Sequence, residues 1–238
     1  MLVLQWPQIV FLCWCTVSLS HAAALHKRET KASFPYTLIR VVLLCLLLGW
    51  GGFFNAIAHA QTVPAQAQRY RLELTRTAHS QWGLDAPIAA LAAQIHQESG
   101  WNPQAMSQVG AEGMAQFMPA TARWWCDLHS QNTDCNPYNP TWALRALVGY
   151  DKYLFDRTPP RLSDFDRLWV ALRAYNGGLG HWKAEAASTE LAWPTRSQVD
   201  AACGKARRHI SHCPENLHYP HRILVMLQPR YSTWGVRW

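Results

Sequence analysis

Glu98 is the residue of this sequence whose position most favours chemistry. It continues the apolar face of a predicted helix over residues 86–99, on which Ile88 and Ile95 also lie. Burial against that face disfavours the ionised carboxylate, and so does the helix C-terminus that Gly100 marks. Both effects raise the pKa of the carboxyl group, so Glu98 is a candidate proton donor near neutral pH. A frayed helix end with Glu98 in water is the alternative that spacing leaves open.

Three ordered segments carry further signal. Residues 98–122 are ESGWNPQAMSQVGAEGMAQFMPATA, residues 174–178 are AYNGG, and residues 216–224 are NLHYPHRIL. Together they resemble the lytic transglycosylases with a soluble-transglycosylase, lysozyme-like domain. In that family a helix ends in Glu-Ser, a G-x-x-G-x-x-Q-x-M-P-x-T segment follows, and Ala-Tyr-Asn-x-Gly and a Tyr segment come later. Met114-Ala115 stands here where Leu-Met is frequent in the family, which is an apolar exchange.

The resemblance implies a mechanism with one carboxyl group. Glu98 would protonate the glycosidic oxygen between N-acetylmuramic acid and N-acetylglucosamine. The carboxylate would then take the proton of the muramoyl C6 hydroxyl, which closes a 1,6-anhydro ring. Because water is not consumed, one carboxylate suffices where hydrolytic glycosidases usually use two. The resemblance implies neither a cofactor nor a metal.

The resemblance also implies a set of substrate-binding residues. They are Ser99, Gln116, Met118, Tyr175, Asn176 and Tyr219. Ser99 and Gln116 would contact the sugar or hold the loop, and Tyr175 would hydrogen-bond Glu98. Structural alternatives stay open: Tyr175 continues a core face, Asn176 suits a helix C-cap, and Tyr219 suits an anchor for the last helix.

Two rival functions remain open at this stage. A hydrolytic muramidase on the same fold would need a second carboxylate, for which Glu112 and Asp127 are candidates. Glu112 lies between glycines in a predicted exposed loop, so a solvated charge explains it better. A non-catalytic sugar-binding or assembly module is the other rival, and the intact Glu98 disfavours it.

Residues 1–60 are predicted to be a leader and residues 61–238 the lysozyme-like domain. The apolar run 41–54 is too short for a comfortable membrane span, and basic residues precede it. Small residues at Ala58 and Ala60 predict cleavage before Gln61 and a periplasmic location, and an uncleaved membrane anchor is the alternative. The small size is similar to transglycosylases of conjugation or secretion machinery, which are expected partners beside peptidoglycan glycan strands.

Charge and cysteines fit an exported protein. The whole chain has a net charge of +7, and without residues 1–60, which hold four of the 22 Lys/Arg and one of the 15 Asp/Glu, the charge is 18 − 14 = +4. This mild basicity suits an anionic polymer such as the cell wall and equally an ordinary soluble surface, and no dense basic run indicates nucleic acid. The predicted domain holds two close cysteine pairs, and export favours the disulfides Cys126–Cys135 and Cys203–Cys213 among three connectivities. A metal site at Cys213 is the alternative, with nearby histidines whose spacing fits no ordinary zinc pattern: His209, His212, His218 and His221.

Helices must position these residues, because alternating strand patterns are lacking. The expected fold is therefore mainly α, a single lysozyme-like domain with the cleft between helices and loops. Besides 86–99, helices are predicted over 66–81, 141–155 and 164–175, and a last one with Pro220 at its first position. The predicted N-caps are Asp85, Thr141 and Ser163. Four tryptophans are candidates for stacking on sugar rings, although most tryptophans must be core: Trp101, Trp124, Trp125 and Trp182.

Overall fold

The computed structural model describes residues 38–39, 41–42, 62–129 and 135–236. The chain divides into two compact units, Met1–Thr62 and Val63–Trp238, and the helices and loops described below belong to the second. The predicted cleavage site before Gln61 lies outside the described residues. Within the described part, no helix combines the length and the apolar character that crossing a membrane requires.

The second unit is built from helices joined by loops. Its α-helices are α1 (Ala65–Trp82), α2 (Ile88–Ser99), α3 (Pro119–Leu128), α4 (Pro140–Phe155), α5 (Asp164–Gly177), α6 (Leu179–Ala187), α7 (Arg196–Ala201) and α8 (Cys213–His221). Short 3₁₀ turns at Ile210–His212 and Gln228–Tyr231 flank α8 and a π-helical turn, Arg222–Leu227. β-Structure in the described residues is limited to two bridges that Glu112 forms with Met106 and Phe117. The mainly α prediction is confirmed.

The α2 helix lies at the centre of the core. Every residue from Ile88 to Ile95 is buried. The helix packs against α1 on one side and against the π-helical turn and the final 3₁₀ turn on others. A helix that is apolar on all sides is stable only inside a protein, so α2 is fixed by its surroundings and its last turn is held in place.

The helix ends confirm part of the capping predictions. Gly100 ends α2 in the left-handed conformation (φ 60°), and the Ser163 hydroxyl accepts from the Asp166 N–H at 3.1 Å, both as predicted. The Asp85 prediction is wrong, because Pro87 occupies the N-cap of α2. The prediction of Thr141 as an N-cap is wrong as well, because the Asn139 side chain caps α4.

The prediction for Pro220 is also wrong. Pro220 lies inside α8, which already begins at Cys213, and the π-helical turn follows directly. A proline within a helix has no N–H for the carbonyl four residues earlier, and such positions commonly kink or widen the helix. Tyr219 therefore projects from an irregular helix whose course the sequence did not indicate.

Both predicted disulfides are confirmed. Cys126 and Cys135 are joined at an S–S distance of 2.06 Å, and Cys203 and Cys213 at 2.14 Å. In the described part of the chain, the group of potential metal ligands near Cys213 consists of Glu185 and these two cysteines. Because the two sulfur atoms are bonded to each other, they are not thiolate ligands, and the histidines nearby do not join the group.

Candidate active site

Glu98 lies in the last turn of α2, where its half-buried side chain meets α8. The Tyr219 hydroxyl donates a hydrogen bond to Glu98 Oε1. Burial raises the pKa of Glu98 to about 8; the Tyr219 hydrogen bond opposes this shift, and the charge of Glu215 adds to it. This increase in the pKa of Glu98 is the direction that was predicted from its position on the apolar face of the helix.

No arginine or lysine among the described residues forms an ion pair with Glu98. The nearby Arg222 donates to the side chain of the preceding residue, Gln97, instead. Without a cation to stabilise the anion, the carboxyl group keeps its proton through neutral pH. It therefore has the protonation state of a general acid.

Two glycines shape the loop between α2 and α3. Gly110 and Gly113 have φ angles of 82° and 72°, which favour glycine. A Cβ on Gly113 would lie 1.8 Å from the carbonyl oxygen of Pro137, so any side chain there would collide with backbone. The G-x-x-G spacing is thus a requirement of the loop fold.

Ser99 holds this loop against the end of α2, and Gln116 joins two parts of the loop to each other. The Ser99 hydroxyl donates to the Met114 carbonyl at 2.7 Å. The Gln116 amide donates to the Gly113 carbonyl at 2.9 Å and to the Ala105 carbonyl at 3.3 Å. Gln116 itself has φ 51°, an unusual conformation for a residue with a side chain, and these bonds help to hold it.

Tyr175 contacts the loop rather than Glu98, so its predicted hydrogen bond to Glu98 is wrong. Its hydroxyl donates to the Ala115 carbonyl at 2.7 Å, and its ring packs edge-on against Phe117. Burial, together with the charge of Glu98, raises the pKa of Tyr175 well above its ordinary value, so the two side chains lie close. The hydrogen bond to Glu98 comes from Tyr219.

Asn176 joins α5 to α8. Its amide donates to Glu215 Oε1 at 3.2 Å, and its carbonyl oxygen accepts from the Asn216 amide at 2.9 Å. Since α5 continues through Gly177, Asn176 is not a C-cap. The contact fixes α8, the helix that carries Tyr219. Met118 lies elsewhere, at the N-cap of α3, where it is 43% exposed.

Asp151 is a buried carboxyl that the sequence analysis missed. It lies on α4 with no exposed surface, and its Oδ1 accepts from the Gln94 amide at 3.3 Å. Burial raises its pKa well above the ordinary value, the Gln94 bond opposes this, and the charge of Glu98 adds to it. A sequence signal existed, because Asp151 follows Leu144 and Leu147 on the apolar face of α4.

The remaining candidates lie in different surroundings. Trp101, Trp125 and Trp182 are buried, whereas Trp124 is 41% exposed and can meet a ligand. Glu112 is half-buried on its two β-bridges instead of exposed as predicted, and Asp127 is exposed on α3. No described hydrogen bond or ion pair joins either carboxylate to Glu98.

The family model described as Transglycosylase SLT domain matches residues 73–192, half of the chain. The chain belongs to this family.

Curated relatives include the membrane-bound lytic murein transglycosylases F of Alteromonas mediterranea and Shewanella denitrificans. The former is 33% identical over 133 residues, which are 54% of this chain and 27% of that protein. The latter is 40% identical over 91 residues, which are 38% of this chain and 17% of that protein. The part of the chain that matches covers 27% of the length of the first relative and 17% of the second.

A solved structure shows the same fold. The 70 kDa soluble lytic transglycosylase of Escherichia coli superposes with a TM-score of 0.51 at 20% sequence identity. The superposition covers 68% of this chain and 24% of that one. It confirms the lysozyme-like fold expected for this domain.

Proposed function

We propose that this protein is a peptidoglycan lytic transglycosylase that cleaves the β-1,4 bond between N-acetylmuramic acid and N-acetylglucosamine. The observation that carries the proposal is the Glu98 carboxyl, which is enclosed, bonded by Tyr219 and free of any described cation. Such a group can donate a proton at neutral pH and accept one afterwards. Family membership and the names of the relatives support the choice of substrate.

The proposed reaction needs one carboxyl group. Glu98 gives its proton to the glycosidic oxygen while the bond from that oxygen to C1 of the muramoyl residue breaks. The Glu98 carboxylate then takes the proton of the C6 hydroxyl as O6 bonds to C1, which closes the 1,6-anhydro ring. Glu98 regains its proton and no water is consumed. The Tyr219 hydroxyl stabilises the carboxylate between the two steps, because it donates to Oε1.

The motif residues have positioning roles in this proposal. Ser99, Gln116 and Tyr175 bind the backbone of the 105–116 loop and set it beside Glu98. Asn176 fixes α8 through Glu215 and Asn216. In this proposal a glycan strand lies between the loop and α8, and Met118, at the N-cap of α3, offers an exposed apolar surface to it.

Replacing the acid tests the proposal. Glu98→Gln keeps the shape of the side chain but cannot exchange a proton, so cleavage of purified peptidoglycan should fall by about 10²–10⁴-fold. Glu112→Gln is the matched control and should retain most activity. Mass analysis of the wild-type products should show 1,6-anhydromuramoyl ends.

Two results would count against the proposal in different ways. Substantial cleavage by Glu98→Gln would remove Glu98 from the catalytic role. Products one water heavier would keep Glu98 but make the protein a hydrolytic muramidase.

We also propose that the protein acts in the periplasm, because a short apolar run at 41–54 precedes the small residues Ala58 and Ala60. N-terminal sequencing of the protein from fractionated cells should find Gln61 first in the periplasmic fraction. A full-length product in the membrane fraction would refute this.

A further inference from the structure

A cavity of about 430 Å³ opens beside the C-terminus of α5. Asn176 and Glu215, which are hydrogen-bonded to each other, are part of its wall. The rest of its described wall is rich in basic side chains, namely His181, Arg207, Arg208, His209 and His212. A wall of this composition offers N–H donors to an anion.

Arg208 is the unusual member of this wall. It is only 6% exposed, and its Nε donates to Glu185 Oε1 at 2.7 Å. Its Nη2 is buried without a hydrogen-bond partner. Buried guanidinium N–H groups are normally paired, so a group left unpaired in a cavity wall indicates a missing acceptor.

Neighbouring residues fix the position of the Arg208 side chain in the cavity wall. A Cβ on Gly177 would lie 2.3 Å from Arg208 Nη1, so the glycine leaves the space that the guanidinium fills. Glu185 is itself fixed by Arg173 Nη2 at 2.7 Å. The Cys203–Cys213 disulfide closes the segment that carries Arg207 and Arg208. The donors are therefore positioned before any ligand arrives.

The cavity adjoins the candidate active site. Asn176 lines the cavity and bonds Glu215, whose charge contributes to the raised pKa of Glu98. An anion held near Arg207 and Arg208 would thus lie next to the bound glycan. In peptidoglycan the muramoyl residue carries a peptide stem, and that stem bears carboxylates. A planar carboxylate matches the forked donors of a guanidinium.

We infer that this cavity binds a carboxylate of the peptide stem, with Arg208 and Arg207 as its donors. The inference rests on the proposed function, since it assigns the stem of the same substrate. The carboxylate lies nearer to the arginines than to Glu215, because the like charge of Glu215 would repel it. The enzyme consequently prefers glycan strands that carry stems.

The test compares two substrates and four proteins. The substrates are glycan strands with peptide stems and the same strands after amidase removal of the stems. Wild type should show a kcat/KM about 10-fold or more higher for the stem-bearing strands, as expected for charge-assisted hydrogen bonds. Arg208→Lys keeps the charge beside Glu185 but loses the fork, and Arg207→Gln changes an exposed residue. Both should lower the ratio toward 1.

The matched control is Arg145→Gln, an exposed arginine of α4 that lines a different cavity. It should keep the wild-type ratio. Melting temperatures of all variants separate lost recognition from lost folding, and Arg207→Gln decides if Arg208→Lys does not fold. A wild-type ratio near 1, or a ratio unchanged in both cavity variants, would overturn the inference while leaving the proposed function intact.

If wild type cleaves neither substrate, the proposed function fails. The carboxylate site is then tested separately, by measuring whether the protein binds a stem peptide. The probe is then the free stem peptide L-Ala–D-Glu–diaminopimelate, compared with its amidated form in NMR titrations of the full chain. Shifts at residues 204–212 with the free acid alone, lost in Arg207→Gln, would support the carboxylate site. Equal shifts with both forms, or none, would refute it.

Discussion

Two buried carboxylate clusters in this protein have opposite surroundings. Glu185 has no exposed surface and accepts from Arg173 and Arg208, each at 2.7 Å. Asp151 also has no exposed surface, and Glu98 is enclosed beside it, yet no described arginine or lysine forms an ion pair with either. Burial is common to both clusters, whereas cations occur in one of them only.

The difference indicates what each cluster does. A buried carboxylate between two guanidinium groups is held by both ion pairs and links the elements that carry them. A buried carboxyl without a cation retains a proton, because the ionised form is not stabilised. The Glu185 cluster is therefore a structural connection between α5, α6 and the Arg208 segment. In the Glu98 cluster, the raised pKa values of Glu98 and Asp151 favour the protonated carboxyl groups.

Asp151 and Gln94 show how the second cluster satisfies its polar atoms. The Gln94 amide donates to Asp151 Oδ1, whereas Asp151 Oδ2 and Gln94 Oε1 are buried without partners. Both unpartnered atoms are acceptors when Asp151 is ionised. A proton on Oδ2 supplies the missing donor, so the neutral acid can form a reciprocal pair with the amide. Gln94 lies one helical turn before Glu98 on α2 and thus supports the turn that carries Glu98.

The largest effect on stability should come from breaking the paired cluster. Glu185→Gln leaves Arg173 and Arg208 without their shared anion, so the free energy of unfolding should fall by about 3–5 kcal/mol. Urea unfolding measures it. The control is Asp164→Asn, which removes an exposed ion pair with Arg167 of 3.5 Å and should cost at most about 1 kcal/mol. Equal small losses in both variants would show that Glu185 is not a structural connection.

Asp151→Asn should increase the stability at neutral pH, in contrast to Glu185→Gln. In the wild type the raised pKa keeps a proton on folded Asp151 at pH values where the unfolded chain has released it. Stability is therefore lost as pH rises above the unfolded value of about 4, by about 1.4 kcal/mol per pH unit while the folded acid stays protonated. An asparagine side chain at this position does not titrate, so the variant is free of this loss.

The Asp151→Asn variant should consequently be more stable than wild type at pH 7 and similar to it near pH 4. Urea unfolding at several pH values measures the difference. A variant that is less stable at neutral pH would mean that Asp151 is an anion with a partner, and the contrast between the clusters would be lost.

The smallest predicted effect concerns Tyr219. Its hydrogen bond lowers the pKa of Glu98, so Tyr219→Phe should raise that pKa further. One hydrogen bond is worth about 0.5–1.5 kcal/mol, which corresponds to a shift of up to about one pH unit. The alkaline limb of the pH–activity profile should move upward, and Tyr153→Phe, on α4, should leave it in place. A downward shift would contradict the assigned contact.

Local features of the site could be predicted from the sequence. The apolar spacing and Gly100 predict where α2 ends. The two loop glycines, Gly110 and Gly113, lie where the backbone has the positive φ angles that glycine tolerates. The raised pKa of Glu98 follows from the same face. These features depend on residues close together in the chain, where spacing determines geometry.

The tyrosine partner could not be predicted in this way. Tyr175 and Tyr219 both lie near Glu98, and which hydroxyl reaches it depends on the course of α8. That course is set by Pro220 within the helix and by the π-helical turn that follows. The pairing of Gln94 with Asp151 likewise arises only in the folded chain, because these residues are 57 positions apart in sequence.

The proton-donor role of Glu98 is tested most directly by the pKa of its carboxyl group. Glutamate-selective ¹³C labelling allows an NMR titration of the folded protein, and the resonance absent from Glu98→Gln identifies the group. We expect a midpoint of about 8, with the acid form dominant at neutral pH and general-acid catalysis lost as pH rises through that value. A midpoint near the ordinary value of 4.5 would contradict it, because Glu98 would then be an anion at neutral pH with no proton to donate.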